Sequence, residues 1–285
     1  GTDGSRFTGA STRITSGSDE SIGGSIRINA TNLEVLNGAQ VNSLIFGTGE
    51  GGDVLLNITD TARFVGLRST NGFPSGSFSR IFPGGAGQGG NVEVRAANLE
   101  LLDGSLDAST SGIGNAGSVN VEVLGSITLG GIQRRSFISS NVLQGAEGDT
   151  GGVKISTGSL FVEDRSQLQA FVAGIGNSGG IQIFADGETS LSNSLIISEV
   201  TEGLGDGNAG NILIETEILD LLNGSAILSD TENIGNAGNI TINASERVTL
   251  VGEGPGALDP NTVVPSQISS TVEAAIGQGG DINIT

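Results

Sequence analysis

The octapeptide Gly235-Asn236-Ala237-Gly238-Asn239-Ile240-Thr241-Ile242 decides the fold, because variants of it recur along the whole chain. With the last Gly before each aliphatic alternation as anchor, the series is Gly24, Gly52, Gly90, Gly117, Gly151, Gly179, Gly210, Gly238 and Gly280, at spacings of 28, 38, 27, 34, 28, 31, 28 and 42 residues. Two positions after every anchor stands a β-branched aliphatic, from Ile26 and Val54 to Ile240 and Ile282. Two further on, a second aliphatic column runs from Ile28 and Leu56 to Ile242 and Ile284. Such alternation puts both columns on one face of a strand. A strand that returns once per turn cannot bury that face alone, so successive copies must stack.

The short turns add a second strand ending in a corner: Leu33-Glu34-Val35-Leu36-Asn37-Gly38, Leu99-Glu100-Leu101-Leu102-Asp103-Gly104, Leu160 to Arg165, and Leu219-Asp220-Leu221-Leu222-Asn223-Gly224. Their Asn-Gly and Asp-Gly pairs supply left-handed backbone. A third strand follows, as in Val41-Asn42-Ser43, Leu168-Gln169-Ala170 and Ile227-Leu228-Ser229, where small inner Ser and Ala let a narrow side close. Asp107 falls where the other short turns have Val41, Leu168 and Ile227. Either the register slips by one there or a carboxylate lies inside. The anchor glycines read as corners that need positive φ.

The long turns vary only between the second and third strands, in Gly66 to Phe82, near Gly130 to Arg135, and in Gly252 to Pro265. Loops tolerate such variation and cores do not. The predicted fold is therefore all-β: a single-stranded parallel β-helix with three strands per turn and about nine turns, one continuous domain over residues 1–285. At about 4.8 Å per turn the rod is roughly 40 Å long.

Composition narrows the function. The net charge of −19, with 31 acidic against 12 basic residues, argues against nucleic acid as a partner. Cys, Met, Trp, Tyr and His are absent, which argues against thiol, imidazole and zinc chemistry. No apolar run is long enough to span a bilayer as a helix, so membrane insertion is not expected.

The units GNAGNITI (residues 235–242), LEVLNGAQV (33–41) and SSTVEAAIGQGGDINI (269–284) resemble the repeats of large filamentous-haemagglutinin-like exoproteins of the two-partner secretion type, particularly the cyanobacterial ones. The resemblance covers essentially the whole chain. It implies a right-handed β-helix, export through a dedicated outer-membrane pore, an extracellular, cell-surface location, and a structural or adhesive role without enzymatic activity. The chain opens on the end of one coil and stops at Asn283-Ile284-Thr285, in the first strand of another. The rod is accordingly expected to continue at both ends as a segment of a longer fibrous chain, by covalent continuation in preference to stacked copies.

Several motifs carry chemistry elsewhere. Gly-x-Gly-x-x-Gly occurs at five anchors, for example Gly47/Gly49/Gly52 and Gly112/Gly114/Gly117. A dinucleotide site needs a following helix, whereas each copy here opens a strand, so no cofactor is expected. Asp53, Asp206 and Asp281 in Gly-rich corners are similar to calcium-binding β-rolls, but most equivalent positions are Asn, Ser or Gly, which leaves room only for incidental calcium. Glu34, Glu100 and Asp220 occupy equivalent outward positions in alternate turns. Parallel β-helices include polysaccharide lyases and hydrolases, so a carbohydrate-binding or carbohydrate-active β-helix is the alternative to a fibre segment.

The long loops offer the candidate interaction patch: Arg63, Phe64, Arg68, Phe73, Phe78, Arg80 and Phe82 in and around the first, with Arg134, Arg135 and Phe137 at the second. On so acidic a body a basic, Phe-bearing patch reads as a contact site. The other reading is that these Phe fold back over the second corner. Expected partners are neighbouring copies or stretches of the same fibre, by side-by-side contact of this patch with an acidic flank, and cell-surface or extracellular polysaccharide.

Overall fold

The computed structural model describes residues 9–16, 21–201, 206–257, 259–273 and 276–285. Among them there is no helix, and the chain winds into a parallel β-helix of three strand stacks. The first stack runs from Ile26–Ala30 and Val54–Ile58 to Ile282–Ile284, nine strands that enclose eight full turns. Ile26 pairs with Val54, Val54 with Val92 and Val92 with Val119, so the first aliphatic column stacks rung on rung. The second stack begins with Leu33–Leu36 and Thr61–Val65. In two rungs it is continuous with the first, through Ile212–Leu222 and Ile240–Val251, with a register shift between Thr216 and Ile218. The two stacks thereby form one 15-stranded sheet, and the third stack is a separate nine-stranded sheet from Gly9–Ile14 to Gln267–Ser269.

The core is the sum of the inward columns. Val92, Val119 and Ile155 from the first face meet Leu99, Ile127 and Leu160 from the second and Leu106, Ile138 and Leu168 from the third, all buried. Sequence position 107 is resolved by a one-residue slip. Leu106 takes the inner column between Ser77 and Ile138, and Asp107 faces outward.

The second corner has the expected left-handed residues: Asn37 at φ 54° before Gly38 at 75°, and Asn223 at 55° before Gly224 at 77°. The anchor glycines need a different explanation from the one predicted. Gly52, Gly90, Gly117 and Gly238 do not have positive φ. Each is Gly because a Cβ there would overlap the carbonyl of the anchor one turn away, Gly90 in the case of Gly117 and Gly210 in the case of Gly238. Positive φ occurs three residues earlier in most turns, at Gly49, Gly87, Gly114, Gly148, Gly176 and Gly235.

The small inner residues of the third stack do more than narrow the coil. The Ser140 hydroxyl donates to the Gly117 carbonyl at 2.7 Å and accepts from the Gly151 N–H at 3.0 Å, and Ser229 bridges Gly210 and Gly238 in the same way at 2.9 and 3.1 Å. Outside, Asn and Asp side chains run up the Gly-rich corner. Asp149 Oδ1 accepts the Asn177 N–H at 2.7 Å, Asn177 Oδ1 that of Asn208 at 3.0 Å and Asn208 Oδ1 that of Asn236 at 3.0 Å. These corner positions serve the backbone of the next turn.

If close stacking is what demands glycine, Gly117→Ala must destabilise more than Gly145→Ala, whose site has φ 79° but no atom within 4 Å of a new Cβ. The expected losses are about 1–3 kcal/mol for Gly117→Ala, as in other overpacked sites, and about 1 kcal/mol for Gly145→Ala. Thermal or denaturant unfolding of the two variants checks the order, and equal losses would mean that close approach is not what demands glycine at the anchor.

Candidate functional site

The outward side chains of the third stack form the floor of a groove of about 600 Å³. An outward column on a β-helix is normally solvated, yet here Asn42, Phe78, Asp107, Ser139 and Gln169 are all buried. The cause lies in the insertions at the second corner. The 66–74 loop brings Phe73 and Pro74 over one end, and the 131–135 loop brings Arg134 and Arg135 over the middle. The last insertion folds as an antiparallel hairpin of Glu253–Pro255 with Val263–Pro265.

These walls are tied to the body and to one another. Asp103, at φ 57° in its corner, accepts the N–H groups of Ile132, Gln133 and Arg134 on one carboxylate oxygen at 2.8, 3.0 and 2.9 Å. The Arg135 and Arg165 guanidiniums both donate to the Ala257 carbonyl, at 3.0 and 3.3 Å, which pins the last insertion beside the second. Crowding with Arg165 and Arg134 adds to burial in pulling the Arg135 pKa below the usual arginine value.

The candidate patch divides. Arg68 donates to the Gly38 carbonyl at 3.0 Å, Phe73 stands half-exposed at the rim, and Phe82 stacks on Phe46 with ring centroids 4.4 Å apart. Phe78, Arg80, Arg134, Arg135 and Phe137 line the groove together. Arg80 lies over the Phe78 ring and is ion-paired with Asp107, which also accepts from the Ser109 hydroxyl. Two residues belong elsewhere. Phe64 is fully buried in the core on Thr61–Val65, because its side chain points inward beside Leu101. Arg63, its neighbour, faces out on the second stack between Glu34 and Glu100, at 3.1 and 2.5 Å. Strand alternation within Thr61–Val65 sends the two to opposite sides of the sheet.

The middle and far end of the groove were not anticipated from the sequence. Three amides form a relay on the floor: Asn141 Nδ2 donates to Gln169 Oε1 at 3.3 Å, and Gln169 Nε2 donates to Gln167 Oε1. Gln167 Nε2 then has no acceptor within the protein, although the residue is only 1% exposed. Phe137 and Phe171 present half-buried rings on either side of this relay. Beyond it stand Glu199 and Glu232. Burial, then the charges of Glu232 and Asp230, push the Glu199 carboxyl up to about 8, and burial also raises Asp230. Gln167, Gln169 and Glu199 alternate with inward Leu168, Ala170 and Val200, so a polar outward column was on the sequence. What it could not indicate is that loops cover this column.

The chain matches no protein-family model, no curated protein and no solved structure.

A carboxyl held protonated in the fold costs stability as pH rises. Since Glu199 titrates near its ordinary value when unfolded and at about 8 when folded, its contribution is intact below pH about 4.5 and lost progressively up to pH about 8. Glu232, Asp230 and Glu273, the charges that face it, act in the same direction. Glu199→Gln is expected to match the parent near pH 5 and to exceed its stability by a few kcal/mol at pH 9. Melting curves of both proteins across that range check this, and parallel curves would mean that Glu199 is ionised at neutral pH.

Proposed function

We propose that the chain is a non-enzymatic structural and adhesive segment of an extracellular filament on a bacterial surface, and that it holds its target in the groove of the third face. The observation that carries this reading is the loop-walled groove: insertions at the second corner cover a column of side chains that a purely structural rod would leave solvated. Aromatic rings, amides and a half-buried ion pair are gathered there on paired strands that cannot shift independently. The resemblance of the repeats to filamentous-haemagglutinin-like exoproteins supplies the rest: surface location, two-partner secretion, and neighbouring stretches of the same fibre as partners beside polysaccharide.

The arrangement of carboxylates favours binding over cleavage. A glycosidase places two carboxyls roughly 5–9.5 Å apart across the scissile bond. Asp107 lies three rungs below Ile197, and thus about 14 Å or more from Glu199, from the strand spacing. Asp107 is also occupied by Arg80 and Ser109. Glu199 and Glu232 are hydrogen-bonded to one another, too close to flank a sugar bond.

Beads coated with the folded chain are expected to be retained on a layer of polysaccharide stripped from bacterial cells. Replacement of the 131–135 loop by a Gly-Gly link should lower retention several-fold. Incubation with the same material should release neither reducing ends nor unsaturated products. Product release by the parent would favour the enzyme reading, and retention no greater than that of bare beads would remove the adhesive one.

A further inference from the structure

We propose that the groove is a subsite array for one extended, neutral polysaccharide chain lying along the rod axis, with the Gln167–Gln169–Asn141 relay as its reading centre. The proposal rests on the adhesive reading for its biological setting but is argued from the groove alone.

Length comes first. The lining runs from Gln40 through Phe78, Asp107, Phe137, Gln167 and Glu199 to Glu232, seven consecutive rungs. That is about 29 Å at the strand spacing. About 600 Å³ spread over that distance leaves the cross-section of a single extended chain and not of a compact ligand. A linear glycan repeats at nearly one ring per rung, so equivalent floor positions meet equivalent sugars.

Chemistry comes second. Gln167 Nε2 is a buried donor without an acceptor in the protein, at the end of a relay whose members polarise one another. That donor calls for an acceptor on the ligand, which a sugar hydroxyl offers without carrying charge. Phe137 and Phe171 line the groove with the relay; Arg135 lies 5.6 Å over the Phe137 ring, and the remaining negative ring faces suit the C–H face of a sugar.

Charge and topology weigh against the competitors. On the floor Asp107 neutralises Arg80, which leaves Arg134 and Arg135 on the wall as the cations an acidic polymer could use, and the carboxyls of Glu199 and Glu232 stand against it at the far end. Glu199 and Glu232 share a hydrogen bond at the other end. An extended peptide gains affinity by pairing with a strand edge. Here the floor is a sheet face: the strands beneath Phe137, Gln167 and Leu195 are paired on both sides.

The test is calorimetric titration of the folded chain with neutral hexasaccharides (β-glucan, mannan and galactan), a hexagalacturonate and a strand-forming hexapeptide. At least one neutral hexasaccharide is expected to bind, and its trisaccharide at least tenfold more weakly. Gln167→Leu and the pair Phe137→Ala with Phe171→Ala should each weaken binding at least tenfold, while Glu34→Gln, on the second face, changes nothing. Gln167→Leu merely moves the unpartnered donor to Gln169, so its melting temperature should stay near that of the parent and loss of binding will not be loss of fold. The proposal is overturned if no neutral hexasaccharide binds, if the uronate or the peptide binds more tightly, or if the groove variants bind as the parent does. Bead retention decides the adhesive reading separately: retention that persists and falls in Gln167→Leu, without neutral glycan binding, sinks this proposal alone.

Discussion

The contact on which the fold depends is the stacking of one anchor glycine on the carbonyl of another. Where Gly117 meets Gly90 and Gly238 meets Gly210, the backbones of successive turns approach so closely that no side chain fits between them. This fixes the rung spacing at one edge of every turn, and the inner serines then lock it. A Ser140 or Ser229 hydroxyl that donates to one anchor carbonyl and accepts from the next anchor N–H joins three parts of the coil at once. With spacing and register set at this edge, the strands between have little freedom. Inward columns remain inward for nine rungs, and each outward position recurs about every 4.8 Å along the rod.

Such a scaffold makes the second corner the main place where variation is tolerated; the 31-residue turn from Gly179 departs from the expectation, with a short second corner between Glu188–Ser192 and Leu195–Ile197 and its extra length between Leu195–Ile197 and Ile212–Leu222. An insertion between the second and third strands disturbs neither the anchors nor the aliphatic columns. It can therefore lengthen from a two-residue Asn-Gly turn into the 66–74 loop or the hairpin of Glu253–Pro255 and Val263–Pro265. The corner borders the third face, and the insertions reach over it: Phe73, Pro74, Arg134 and Arg135 line its groove. The groove thus has a floor of strands and walls of loops, which is the division of labour expected of a binding site. Its floor breaks the rules that the rest of the rod obeys: a buried amide lacks an acceptor, and an acidic group is raised far above its usual range. Departures of this kind concentrate where function competes with stability.

The periodicity made the inward half of the structure legible. Ile26, Val54, Val92 and Val119 could be stacked on paper because alternation and spacing are local properties. The Asn37-Gly38 and Asn223-Gly224 corners were legible for the same reason. The anchors were placed correctly and explained wrongly, since a glycine needed for close approach looks in sequence like one needed for positive φ. Phe64 was assigned to a contact surface because it lies near a loop, yet strand parity puts it in the core. The groove was not legible because its walls meet over long separations: Arg135 reaches Ala257, 122 residues away. No local pattern signals that meeting, and without it Gln167 and Glu199 look like any solvated outward residues.

Stacking like on like has an electrostatic consequence that separates the groove from the other faces. Two carboxylates on adjacent rungs, about 4.8 Å apart, repel by roughly 3 kcal/mol at an effective dielectric constant near 20. On the open faces the chain interleaves cations: Arg63 lies between Glu34 and Glu100, Arg95 contacts Glu122 at 2.8 Å, and Arg247 grips both oxygens of Asp220. These pairs are solvated and contribute little to stability. They prevent a repulsion that the repeat would otherwise build into every turn. At Glu199, among the described residues, the neighbouring charges are Glu232, Asp230 and Glu273 with no guanidinium between them, and burial together with these charges raises its carboxyl so that a proton serves where a cation serves elsewhere. A cation in that column would occupy the groove with a long side chain, whereas a proton leaves the space open and turns a repelling acceptor into a donor. The difference between the two solutions is the difference between a face crowded with paired side chains and one with space left beneath its loops.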